Sequence, residues 1–140
     1  MKNGESAKKG AAKLLETMEC VYMATNGENG HPNLRAMAAA KTEGVKTLWF
    51  VTDEESSKAQ ELLRDDKAVV YAGALDAGEV KLWGNVEILE DMASRKKVWS
   101  DEVAEHFPGG IASPNLRVLR FKVSNGIYAD KKWQKHAFKN

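Results

Sequence analysis

Four side chains in this sequence have the chemistry to hold a phosphate: Thr52, Ser57, Lys58 and, upstream, Arg35. Thr52 closes the apolar run Thr47-Leu48-Trp49-Phe50-Val51-Thr52, and Ser56-Ser57-Lys58 then opens a helical stretch. A helix start offers unpaired backbone N–H groups and about half a positive charge from its aligned peptide dipoles, so hydroxyls and a lysine placed there form an anion site. Arg35 converging on that site would set two cations against one anion. Taken singly, each residue has a plainer use: Ser57 as a helix cap, Lys58 as a solvated first-turn residue, Arg35 as the partner of a carboxylate.

Competing chemistries find less support. His31, His106 and His136 have no i, i+4 relation, and no CxxC or HExxH occurs, so no metal site is expected. Neither GxGxxG after a strand nor GxxxxGK[ST] is present, which removes the usual dinucleotide and nucleoside triphosphate loops. Cys20, the one cysteine, allows no intrachain disulfide; it reads as a small buried hydrophobe and suits the cytoplasm. With 21 Lys+Arg against 20 Asp+Glu the net charge is +1, which gives no field for nucleic acid or an anionic membrane. The cationic tail Lys131-Lys132-Trp133-Gln134-Lys135-His136 reads as a solvated terminus. No apolar stretch of about eighteen residues occurs and the N-terminus is polar, so neither a membrane span nor a signal peptide is expected.

The elements that must position these groups follow from periodicity. Ala7, Ala11, Leu14, Leu15 and Met18 recur at helical spacing and predict a helix over Ser6 to Glu19. Strands are predicted over Cys20 to Thr25, Asn33 to Lys41 and Val45 to Thr52, joined by turns at 26–32 and 42–44 and paired antiparallel, so that Arg35 lies on a neighbour of the Thr52 strand. Ser57-Lys58-Ala59-Gln60 fits a reciprocal helix cap, giving a helix to about Arg64. Strands over Lys67 to Leu75 and Glu79 to Leu89 follow, the second interrupted at Gly84, where a bulge or a close backbone approach suits a residue without Cβ. Asp91 caps a third helix carrying residues up to Ala104, and strands over Asn115 to Val123 and Ile127 to Ala129, separated by a turn at 124–126, precede the tail. A 140-residue chain of this pattern predicts one domain, 1–140, of mainly β (α+β) class. Its form is a six- to seven-stranded antiparallel β-barrel with two to three peripheral helices.

The ordered set His31-Pro32-Asn33-Leu34-Arg35-Ala36-Met37, Trp49-Phe50-Val51-Thr52, Ser57-Lys58, Leu82-Trp83-Gly84-Asn85-Val86-Glu87-Ile88, Trp99 and His106-Phe107-Pro108-Gly109-Gly110 resembles the pyridoxamine 5'-phosphate oxidase-like split-barrel flavoproteins, most closely their general stress protein subgroup. The resemblance implies that the barrel is a split β-barrel, with FMN held between the subunits of a homodimer. Arg35, Ser57 and Lys58 would grip the phosphate; Met37 and Ala38 would set backbone groups against the ring, with Ala36 also at the cofactor; Val51 and Thr52 would lie near the ribityl chain and ring edge. Trp99, Phe107 and Pro108 would approach the flavin or the interface from the second subunit. Family activity implies a flavin-dependent oxidoreductase passing electrons between small-molecule donors and acceptors, with a non-catalytic flavin store or sensor as the alternative. The arginine-rich C-terminal signature of true pyridoxamine phosphate oxidases is absent, and so is the Tyr-Trp pair common after the last strand, so vitamin oxidation is not expected.

Overall fold

A computed structural model describes residues 2–140. Helix α1 (Lys2–Thr17) is followed by strands β1 (Val21–Asn26), β2 (Pro32–Met37), β3 (Lys41–Glu43) and β4 (Thr47–Asp53), then α2 (Ser57–Arg64), β5 (Lys67–Ala74) and β6 (Gly78–Leu89). Two short helices, α3 (Met92–Val98) and α4 (Asp101–His106), lead to β7 (Leu116–Ala129) and β8 (Lys135–Lys139). The strand order is β2-β1-β5-β6-β7-β4-β3, with β8 on β7, every pairing antiparallel. The sheet does not close between β2 and β3, so the described residues form a split barrel of eight strands and four helices. No helix among the described residues is long and apolar enough to cross a membrane.

Inward-facing alternate residues fill the barrel: Val21 and Met23 of β1, Leu48 and Phe50 of β4, Val80 and Leu82 of β6, Leu119 and Phe121 of β7. The apolar stripe of α1, Ala7, Ala11, Leu14 and Leu15, packs into the same core. A second cluster, Trp49, Val98, Phe107, Leu116 and Val118, lies where β4 and β7 meet α3 and the α4 exit.

Five expectations change. Arg35's strand is not the neighbour of the Thr52 strand: β2 pairs with β1 and stands at the opposite end of the strand order from β3 and β4. The strand predicted over Asn33 to Lys41 ends at Met37, and Ala38 to Ala40 cross the split before β3 begins, with the Ala40 N–H donating to the Trp49 carbonyl at 2.8 Å. The third predicted helix breaks at Trp99–Ser100, because the Ser100 hydroxyl accepts from the Val103 N–H and caps a new helix.

The predicted turn at 124–126 is the interior of β7. The register with β6 jumps from Trp83↔Asn125 to Gly84↔Val123, leaving Ser124 as the extra residue of a bulge. Gly84 sits opposite that bulge, where a Cβ would come within 2.1 Å of the Lys122 carbonyl oxygen. Both readings offered for this glycine, bulge and close approach, hold. The tail beyond Asp130 turns through Trp133, whose φ is +61°, and returns as β8 with Phe138 buried.

Candidate functional site

The split leaves a cleft of about 770 Å³. One wall is Ala36 and Met37 at the end of β2 with the crossing residues Ala38 to Ala40, the next is Val51, Thr52 and Asp53 of β4, and Lys58 enters from α2. Opposite stand Ser100, Glu102, Val103 and His106 of α4 with Phe107. Val51, Val103 and Phe107 also belong to the second apolar cluster, so the packing that seats α4 forms part of the cleft wall.

Seven of the expected site residues meet here: Ala36, Met37, Ala38, Val51, Thr52, Lys58 and Phe107. Trp99 packs half-buried on the second cluster, and Pro108 is exposed beside Phe107. Ser57 lines a separate polar hollow with Asn29, Asn33, Gln60, Glu61 and Arg64. The helix cap is Ser56, not Ser57: its hydroxyl accepts from the Ala59 N–H at 3.2 Å and from the Thr52 hydroxyl at 2.9 Å. Gln60 closes no reciprocal cap, since its amide donates to the Glu54 carbonyl. Thr52 is thus tied to the first turn of α2, which fixes Lys58 relative to β4.

Arg35 reaches back across β1 rather than along β2. Its Nη1 donates to the Thr25 hydroxyl at 2.7 Å and to the Met23 carbonyl at 3.3 Å, and its Nη2 to Glu61 Oε1 at 3.2 Å. Thr25 donates in turn to the same Glu61 oxygen at 2.5 Å, and the Asn33 amide donates to the other. Glu61 is 6% exposed. The Thr25 hydroxyl first, then the Asn33 amide and Arg35, hold its carboxyl below the usual glutamate range against the opposing effect of burial. Burial first, and the nearby Arg35 charge second, push the Lys58 ammonium below the usual lysine range. Two cations are therefore held close together, one of them paired.

Glu61 supplies a pH dependence. A carboxyl with a lowered folded pKa contributes stability that is complete above its unfolded value and is lost as pH falls through the folded value. Glu61→Gln is expected to be about 1 to 2 kcal/mol less stable than wild type at neutral pH, with the gap closing on the acid side as the wild-type carboxyl protonates. Urea unfolding at a series of pH values checks this; a gap that stays constant into acid would show that the charge of Glu61 does not matter.

Sequence reasoning missed Thr25, Asn33 and Glu61. Glu61 shares a helical face with Ser57 and Lys58 at i+4 and i+3 spacing, a signal that was present, but a glutamate in a short polar helix reads as solvated. Ala39, Ala40 and Asp53 also went unmarked, as did Ser100, which caps α4, and Glu102, Val103 and His106 within it, because nothing local announces that this helix faces the split.

The eight-stranded antiparallel sheet that stays open between β2 and β3, with a cleft at that seam, defines a split-barrel domain. The chain belongs to the pyridoxamine 5'-phosphate oxidase-like family, whose model matches residues 6–139. It is similar over 96% of its length to 95% of a Clostridium acetobutylicum protein related to general stress protein 26 of B. subtilis (pyridoxinephosphate oxidase family), with 31% identity and a TM-score of 0.84. General stress protein 26 from Bacillus anthracis shares the fold at 18% identity and a TM-score of 0.79, covering 95% of this chain and 98% of that one. A heme binding protein from Mycobacterium smegmatis shares it at 16% identity and a TM-score of 0.79, with 95% of this chain matching 57% of that one. No curated protein matches the sequence.

Proposed function

We propose that this chain is a cytoplasmic FMN-binding flavoprotein of the general stress protein type, a homodimer with FMN at the subunit interface. The observation that carries the reading is the seam cleft itself, in which Lys58 stands beside the mostly small and apolar Ala36 to Ala40 and Val51, with Asp53, Glu102 and His106 at its polar side. The residues fit the group. A volume of about 770 Å³ lies within the roughly 300–1,000 Å³ of small-ligand sites. Ala36, Ala38, Ala39 and Ala40 lack bulky side chains and Met37 is buried in the core, so backbone N–H and C=O groups stay accessible to a planar heterocycle.

A homodimer is supported by the outer face of the sheet. Register puts Tyr22, Leu34 and Ala36 on one surface with Val69 and Trp83, and Tyr22 is 41% and Leu34 67% exposed. Ala36 belongs both to this apolar face and to the cleft, so covering the face would also cover the cleft's edge. FMN supplies reversible one- and two-electron transfer when bound. Lys58 and Arg35 would hold its phosphate, Val51 and Phe107 would supply apolar lining, and the space beside α4 would admit a small donor or acceptor. Storage or sensing without turnover is the competing reading, and kinetics separates the two.

The purified protein is expected to show oxidised-flavin absorption, to release FMN by mass and to elute at twice the protomer mass. A Soret band instead, or no uptake of added FMN, overturns the assignment. The loaded dimer is expected to be reduced by a nicotinamide donor and reoxidised by a quinone or nitro compound faster than free FMN. Rates no faster than free flavin favour the storage or sensing module.

A further inference from the structure

The Arg35 guanidinium has five N–H donors, and the structure uses three. Nη1 is committed to Thr25 and Met23, and one Nη2 hydrogen to Glu61. Because Thr25 Oγ1 and Glu61 Oε1 are themselves bonded, they sit together across the Nη1/Nη2 end of the fork. The side of the fork made by Nε–H and the second Nη2–H has no acceptor among the described residues. That is a bidentate edge of the kind that matches two oxygens of a phosphate. Glu61 is anchored at both oxygens, by Thr25 and by Asn33, and its side chain is 7% exposed.

We propose that Glu61 is a positioning residue for phosphate recognition: with Thr25 it clamps one end of the Arg35 guanidinium and so presents the free Nε/Nη2 edge to the phosphate of the cofactor. The proposal rests on the FMN reading and adds to it the origin of the site's preference for a phosphorylated flavin. An unclamped arginine beside Lys58 would be driven away by like charge and would pay its rotamer freedom on binding. The clamp settles both before the ligand arrives. Charge alone predicts the reverse, because deleting a carboxylate leaves the site more positive and should favour phosphate.

The test compares Kd for FMN and for riboflavin by quenching titration in wild type, Glu61→Ala, Glu61→Gln, Thr25→Val, Arg35→Ala and the Arg35→Ala/Glu61→Ala double variant. Wild type is expected to prefer FMN strongly. Glu61→Ala should cut that preference more than tenfold while riboflavin affinity stays within about twofold; Glu61→Gln, which keeps an acceptor for Arg35, should recover most of it. Thr25→Val should lose about threefold, and adding Glu61→Ala to Arg35→Ala should change nothing. An increased FMN preference in Glu61→Ala and Glu61→Gln would overturn the clamp in favour of simple charge. Equal losses for FMN and riboflavin would overturn it in favour of a structural role. If Glu61→Ala does not fold, Thr25→Val and Glu61→Gln decide: full preference in Thr25→Val overturns the clamp, and a partial loss in both supports it. Wild type binding neither flavin overturns the flavin reading itself, whereas wild type without preference between them overturns only phosphate recognition and the clamp with it.

Discussion

Replacing Arg95 by methionine is expected to lower the stability of the protein by about 3 kcal/mol and its melting temperature by roughly 10 °C. Arg95 projects from α3, is 7% exposed, and has no carboxylate within ion-pair distance among the described residues. Four carbonyls take the place of a counter-ion. Nε donates to Glu90 at 2.7 Å, Nη1 to Ile111 at 2.8 Å and Ser113 at 2.7 Å, and Nη2 to Leu116 at 3.3 Å. Methionine fills much of the volume and removes the cost of burying a charge, but it donates nothing. The Ser113 carbonyl keeps a bond from the Leu116 N–H and the Leu116 carbonyl keeps one from Arg117, while those of Glu90 and Ile111 lose their protein donor. Two orphaned carbonyls and two weakened ones, at about 1 to 3 kcal/mol for each group fully lost, set the scale. The loop from Phe107 to Asn115 is held by this side chain, so flavin affinity should fall along with stability. Urea and thermal melts check the first effect; a variant within about 0.5 kcal/mol of wild type would mean that water satisfies the carbonyls equally well.

The same residue illustrates what a one-dimensional reading can reach. Arg95-Lys96-Lys97 looks like the solvated cationic face of a helix, and only carbonyls about twenty residues downstream distinguish the first of the three. By contrast, β4 and the start of α2 were legible because their signals are local: a continuous apolar run, then a hydroxyl followed by a helical stretch. Even there the cap was assigned one residue late, since Ser56 and Ser57 are chemically identical and only the tie to Thr52 selects the first. Gly84 was legible because the lack of a side chain in a strand is itself a signal. Its partner at Ser124 was not, because Ser-Asn-Gly has strong turn propensity and pairing with β6 on one side and β8 on the other overrides it. Strand β8 was invisible for a related reason: in Lys135-His136-Ala137-Phe138-Lys139 only Phe138 is buried, so the segment gains its stability from β7 and reads alone as a charged tail. Ala36, Met37, Ala38, Val51, Thr52, Lys58 and Phe107 of the cleft were therefore named in advance, while Ala39, Ala40, Asp53, the α4 residues and the network behind Arg35 were not.

Removing both Arg35 and Lys58 is expected to reduce FMN affinity by more than tenfold, with riboflavin affinity little changed. A phosphate monoester carries about −1.5 to −2 charge near neutral pH, and a charge-assisted hydrogen bond to it is worth about 1.5 to 3 kcal/mol at best. Half-exposed groups deliver less. Lys58 is also held below the usual lysine range, by burial first and by Arg35 second. Tenfold, about 1.4 kcal/mol, is thus a floor for two donors acting together. The pH profile gives an independent check with a definite sign. On the basic side, bound phosphate favours the protonated lysine, so affinity should fall as pH rises through the lowered Lys58 pKa of the free protein, before the 10.5 of an ordinary lysine is reached. On the acid side, affinity should fall as the phosphate takes up its second proton near about pH 6. Lys58→Ala should abolish the basic limb and leave the acid one. A basic limb that survives in Lys58→Ala would assign that titration to another group, and unchanged FMN affinity in the Arg35→Ala/Lys58→Ala variant would remove the phosphate from this end of the cleft altogether.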